Sequence, residues 1–256
     1  MENYSKLKNI TYGKKILFIF LFLSGLILFA QKEASLVKPS KIDIGVGLQS
    51  RYIWRGLQLG GNSPSIQPSV EFTAGKFILG AWGAYSTRGF NEFQEADLYV
   101  SYTPIEALSL TITDYFFPKE GAYNNYFEHG NNTGHVYEAL ISFNGTEKIP
   151  IGIILATNFA GAIKYDENES EKKAYSTYIE ATYSKKVANT AYSIFAGAVF
   201  GDYNSYYLTD GSGFINLGLS ATKEIKITDN FNLPINAALT FNPEQENIYL
   251  TFGCSL

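Results

Sequence analysis

From Lys41 onward, apolar residues recur at every second position. Ile42, Ile44, Val46, Leu48, Tyr52 and Trp54 hold even positions, and Asp43, Gly45, Gly47, Gln49, Arg51 and Arg55 hold odd ones. Successive side chains of a strand point to opposite faces, so this pattern predicts an extended strand with one apolar face and one polar or minimal face. The alternation returns at Ile66, Pro68, Val70 and Phe72, again at Leu108, Leu110 and Ile112, and last at Ile248, Leu250, Phe252, Cys254 and Leu256. Segments 77–86, 151–159 and 191–201 are apolar on both faces, with Gly and Ala as the small side. Asp114 falls on the apolar side of its strand, which predicts a bulge there or the strand's exit from a membrane.

The pattern predicts twelve strands, at 41–55, 64–74, 76–86, 93–103, 107–116, 134–144, 150–160, 174–185, 190–201, 213–224, 231–241 and 246–256. Their connections alternate between short turns, such as Ala74-Gly75-Lys76 and Asn144-Gly145, and longer polar loops such as 117–133, 160–174 and 201–213. An even strand count with unequal rims predicts an all-β fold: a closed antiparallel transmembrane β-barrel with short periplasmic turns and longer extracellular loops. Strands of about 9–11 residues suit a tilted crossing of a bilayer. The aromatics Tyr52, Trp54, Tyr85, Tyr102, Phe116, Phe143, Tyr183, Phe200 and Phe241 lie near strand ends, where interfacial girdles are expected. The opposite face is rich in Gly, Ser, Thr, Asn, Gln and charge, which suits a wet lumen.

The first segment has a different character. Lys6, Lys8, Lys14 and Lys15 precede the uncharged run Ile16 to Ala30. A basic stretch followed by an apolar core too short to span a membrane predicts a cleaved signal peptide, residues 1–30, with 31–256 as the barrel. Removing it leaves 16 basic and 23 acidic residues, net −7. An outer-membrane location in a Gram-negative cell follows, with membrane lipids and the barrel assembly machinery as partners.

Composition narrows the function. A mean hydropathy of −0.05 argues against a bundle of membrane helices. One cysteine precludes an internal disulfide, and no Cys/His cluster predicts a metal site, so neither metal nor cofactor is expected. Acidic balance excludes a nucleic-acid surface. The two histidines, His129 and His135, form no recognisable triad, and no enzyme activity is expected.

Ser50-Arg51-Tyr52-Ile53-Trp54-Arg55-Gly56-Leu57, then Gly60-Gly61-Asn62-Ser63-Pro64-Ser65-Ile66-Gln67-Pro68 and Gly80-Ala81-Trp82-Gly83-Ala84-Tyr85-Ser86, resemble the TorF-type porin family, most sharply over residues 43–103. That family has a first strand ending in an aromatic-Arg-Gly turn. The resemblance implies an outer-membrane barrel of porin type, with no particular substrate.

By parity, Asp43, Arg51, Arg55, Glu71, Glu95, Asp97, Glu138 and Glu180 line the lumen. Such charges either filter solutes in a pore or pair to fill a narrow barrel. Segment Pro118 to Asn132 is either an inward constriction or a solvated surface loop, and the latter is expected. Asp202 to Gly213, with Tyr203, Tyr206 and Tyr207, either meets a ligand or caps the barrel. The acidic loop holding Asp166, Glu167, Glu169 and Glu171 fits no calcium motif. Parity places His135, Tyr137 and Cys254 on the lipid face. The leading expectation is passive diffusion of small polar solutes. The alternatives are a non-conducting structural or adhesive barrel and a secreted soluble β protein that binds a ligand.

Overall fold

Strands of 9 to 16 residues, each offering one apolar face, pair side by side and close on themselves. The computed structural model describes residues 40–88, 94–118, 125–129, 134–146, 148–161, 163–165, 171–173, 175–201 and 206–256. The strands are β1 (Lys41–Gln49), β2 (Tyr52–Trp54), β3 (Leu57–Leu59), β4 (Ser65–Ala74), β5 (Phe77–Ser86), β6 (Gln94–Ile105), β7 (Leu108–Phe116), β8 (His135–Phe143), β9 (Ile151–Ala160), β10 (Ile163–Tyr165), β11 (Glu171–Lys173), β12 (Thr177–Val187), β13 (Thr190–Phe200), β14 (Gly213–Thr228), β15 (Phe231–Asn242) and β16 (Asn247–Ser255).

Twelve of them form one closed antiparallel barrel, in the order β1-β16-β15-β14-β13-β12-β9-β8-β7-β6-β5-β4. The seam joins β1 to β16 through Gly47↔Ser255, Leu48↔Cys254 and Gln49↔Gly253, extended by Val46 and Leu256, which exchange N–H···O bonds of 3.0 and 2.9 Å. Closure removes the free edges that an open sheet presents to other chains.

The predicted alternation holds around the whole ring. Exposed apolar side chains stand outward on every barrel strand: Ile44 on β1, Leu79 on β5, Ile194 on β13 and Leu250 on β16 are 80%, 60%, 65% and 71% exposed. The inner face carries the polar positions. Its fully buried residues gather near the long-loop ends of the strands, among them Glu138, Tyr178, Val199 and Asn242. The inner face toward the short-turn rim is lined by Ser, Thr and Gly, with serine and threonine pairs such as Ser184–Ser193 (2.8 Å) bonding across strands.

Three features depart from the expected strand map. Segment 41–55 is not one strand: β1 stops at Gln49, and β2 and β3 form a separate two-stranded hairpin. Segments 163–165 and 171–173 pair outside the barrel where a loop was expected. Asp114 marks no bulge, because β7 stays in register with both neighbours there, pairing Leu98↔Asp114 and Asp114↔Tyr137.

Candidate functional site

The β2–β3 hairpin turns on Arg55-Gly56, with φ of 47° and 78°. Positive φ at both central residues is the turn twist that two-residue hairpins favour. Glycine is required at position 56 for a second reason: a Cβ there would stand 1.7 Å from the Ile215 carbonyl oxygen. The hairpin therefore presses its tip against β14, away from its root between β1 and β4.

A ring of twelve strands, spaced 4.7–4.9 Å and tilted about 40°, has a backbone diameter of roughly 24 Å. Seven extended residues, Ser50 to Gly56, reach about 23 Å. The hairpin is long enough to cross the lumen, and its contacts show that it does. Leu57 packs with Tyr178 of β12, Val199 of β13 and Ile215 of β14, together with Tyr207. Asn242 of β15 donates to the Gly56 carbonyl at 3.0 Å. At the root, Ser50 N–H donates to Phe252 O at 2.8 Å, and Ser63 bonds Ser86 of β5 and the Gly60 carbonyl.

Arg55 is the polar centre of this crossing. Its guanidinium donates to both oxygens of Glu138, at 2.5 and 2.9 Å, and to the Tyr207 hydroxyl at 2.5 Å. Tyr115 adds an O–H bond to Glu138 at 3.1 Å. The Arg55 guanidinium also lies 4.4 Å from the Trp54 ring centre and 4.7 Å from that of Tyr178, inside cation–π range. Trp54 stacks on Tyr207 at 5.5 Å and meets Tyr115 and Tyr206 edge-on. Burial pushes the Tyr206 and Tyr207 phenols up, so both stay neutral, and Tyr207 accepts from Arg55 as an uncharged oxygen.

The remaining predicted lumen residues distribute along the inner wall. Glu180 accepts from Tyr178, from Asn216 at 2.7 Å and from Thr182 at 3.1 Å. Glu71 accepts from Tyr99. Asp43 pairs with Lys41 at 2.5 Å at the short-turn end, and Arg51 donates to Gln58 at 3.0 Å within the hairpin loop. Glu95 and Asp97 sit buried beneath Tyr52, 2% and 6% exposed. Arg51 and Arg55 therefore belong to the inward loop and not to a wall strand.

Two further expectations are corrected. Tyr52 and Trp54 do not join an outer girdle. The chain leaves the wall at Gln49, parity restarts, and Tyr52 ends 7% exposed inside the barrel against Trp82. Phe116 and His135 do face outward as parity requires, yet they are buried. Segment 125–129 folds down over them: Tyr126 packs on Phe116 and donates its O–H to Asp114 at 2.9 Å. His135 bonds Asp114 through Nδ1 and the Tyr126 carbonyl through Nε2, both at 2.7 Å. His129 bonds the Tyr137 hydroxyl at 2.9 Å. The described part of loop 117–133 therefore clasps the outer wall, and the lumen is crossed instead by 52–59 and capped by Tyr206 and Tyr207. Tyr203 and the side chains of 162–174 lie outside the described residues.

Among the aromatic partners, Tyr115 and Tyr178 were not singled out as interior residues, whereas Tyr207 was expected to meet a ligand or cap the barrel. Parity was a usable signal for the first two, which alternate with the outward Asp114 and Ile179.

These elements define an all-β, closed, twelve-stranded antiparallel barrel crossed by its own first long loop. Residues 33–229 match the family model described as "Bacterial protein of unknown function (Gcw_chp)", and the chain belongs to that family, a description that does not carry the TorF-type name. No curated protein matches the sequence. Among solved structures, the NanC porin in a rhombohedral crystal form is similar at 6% identity, covering 83% of this chain and 98% of that one, with a TM-score of 0.49.

Proposed function

We propose that this protein is an outer-membrane channel through which small polar solutes diffuse passively, and that it acts by no enzymatic chemistry. One observation carries the reading: large apolar side chains stand exposed on all twelve barrel strands, around an interior of hydroxyls, amides and charge. In water that surface is far beyond the few hundred Å² of apolar patch that soluble monomers expose. In a bilayer it is the lipid face of a closed barrel, the sheet form whose backbone groups all pair internally. On this reading residues 1–30 are a cleaved export signal, the short turns face the periplasm, and the long-loop rim faces outward.

The interior charges bear on selectivity. Glu71, Glu95, Asp97, Glu138 and Glu180 stand along the inner wall, against Arg51 and Arg55 on the hairpin. With Glu138 paired to Arg55 and the Glu95–Asp97 pair buried, Glu71 and Glu180 against Arg51 leave a small excess of carboxylates, which favours cations over anions of the same size. The crossing hairpin is the constriction.

A second reading draws on the same hairpin: a loop stacked and hydrogen-bonded across the lumen suits a plugged, non-conducting barrel. Planar-bilayer recording separates the two. Discrete steps, with a cation-selective reversal potential in a salt gradient, are expected from a channel. Steps that appear only after residues 52–59 are replaced by a short glycine-serine linker identify a plug. Folded protein that gives no steps in either form overturns the channel reading.

A further inference from the structure

Glu95 and Asp97 are two positions apart on β6, so both side chains enter the lumen. Their carboxyl groups stand within hydrogen-bonding reach of each other. Each group is served on one side only. The Tyr52 hydroxyl is in reach of Glu95, and the Phe116 backbone N–H is in reach of Asp97. The oxygens left over, Glu95 Oε2 and Asp97 Oδ1, are buried and meet no donor among the described residues.

Among the described residues, no cation stands opposite them on the neighbouring strands. Across the ladders, Asp97 stands opposite Trp82 on β5 and Tyr115 on β7, while Glu95 stands opposite Ala84. Tyr52 closes over Trp82 with ring centres 5.4 Å apart. The hairpin's cations are engaged elsewhere, Arg55 by Glu138 and Tyr207, and Arg51 by Gln58. Two adjacent carboxylates taken out of water repel each other, and the arrangement persists when either a proton or a cation stands between them.

We propose that Glu95 and Asp97 bind a divalent cation of the calcium class inside the barrel, each supplying the oxygen that the protein leaves undonated. The donors are all oxygen, with no histidine or thiolate to favour zinc or copper. Calcium accepts an irregular shell of oxygens, completed here by water, whereas magnesium demands a near-ideal octahedron. Two carboxylates make a weak site, with an expected Kd of about 10⁻⁴ to 10⁻³ M, the range of extracellular calcium modules. The bound ion ties β6 to the base of the crossing hairpin through Tyr52. This site is independent of whether the barrel conducts, and its test uses no current.

The test uses the full chain, folded in detergent and titrated with terbium, which takes calcium's ligands and emits when nearby Trp and Tyr are excited. The expected result is a saturable emission that calcium displaces and equal sodium does not. It falls several-fold in Glu95→Gln and in Asp97→Asn, and is retained in Asp43→Asn at the short-turn end. Trp82→Phe, which leaves both carboxylates in place, lowers the emission while calcium displacement persists. Should the carboxylate variants fail to fold, the wild-type displacement and the Trp82→Phe loss still decide the matter. Absence of emission from folded wild-type protein, or emission unchanged in Glu95→Gln and Asp97→Asn, overturns the proposal and leaves the pair sharing a proton.

Discussion

Arg55 and Glu138 are 83 positions apart in the chain, yet they meet through two parallel hydrogen bonds inside the barrel. The pair joins a loop rooted at the β1–β4 side to the wall strand β8, and both side chains are almost wholly enclosed, 8% and 1% exposed. A buried bidentate pair fixes orientation as well as distance, because the planar guanidinium must meet both carboxylate oxygens at once.

Removing one partner leaves the other charge buried alone. Arg55→Met is therefore expected to cost about 3–5 kcal/mol, and the double change Arg55→Met with Glu138→Leu to recover most of it. Urea unfolding from liposomes measures both. If the single variant matches wild type, the pair does not hold the hairpin. On the channel reading, Arg55→Met also raises single-channel conductance.

Gly56→Ala tests the tip. The positive φ and the Ile215 carbonyl both oppose a side chain there, and strain of this kind costs about 1–3 kcal/mol. The hairpin is expected to withdraw from β14. Trp54 then gains water, and its fluorescence shifts to the red; an unshifted spectrum means that the tip tolerates a methyl group.

The lipid face is tested by moving one charge through one residue. Ile194 points out of β13 and Ser193 points in. Ile194→Lys is expected to destabilise the barrel in liposomes by about 2–4 kcal/mol, the cost of lysine near a bilayer midplane. Ser193→Lys is expected to cost far less. Equal effects in lipid count against a membrane-facing wall.

The outer clasp depends on His135, whose two nitrogens both meet oxygen acceptors, Asp114 and the Tyr126 carbonyl. Only the doubly protonated ring donates to both. His135→Phe keeps the ring volume and removes both bonds, so segment 125–129 is expected to lift from the wall. Cleavage after Glu128 by a glutamate-specific protease then accelerates several-fold, whereas Tyr137→Phe, which loses only the bond to His129, changes it less. A cleavage rate untouched by His135→Phe assigns the clasp to Tyr126, through its ring contact with Phe116 and its bond to Asp114.

How much of this was legible beforehand follows from the range of each interaction. The period of two in Ile42 to Leu48 and in Ile248 to Leu256 is a local property of extended backbone, so strand number, facing and closure could be read along the chain. The same parity placed Glu95, Asp97, Glu138 and Glu180 on one face, because a strand keeps its sidedness until its register breaks.

It failed where the chain left the sheet. Tyr52 and Trp54 continue the alternation of β1 in sequence, but the wall ends at Gln49, and nothing in the period of two records that departure. Whether a loop turns inward depends on what waits across the lumen: Tyr178, Val199 and Ile215 for Leu57, and Glu138 for Arg55. Those partners come from strands more than eighty positions away, brought opposite the hairpin only when the sheet closes. The same holds for Asp114 and His135, an outward acid and base that only a folded-back Tyr126 makes tenable on an apolar wall. Sequence by itself determined the wall, because side-chain alternation is local. Tertiary structure decided what fills and clasps it, because burial and charge pairing require partners that only the closed ring assembles.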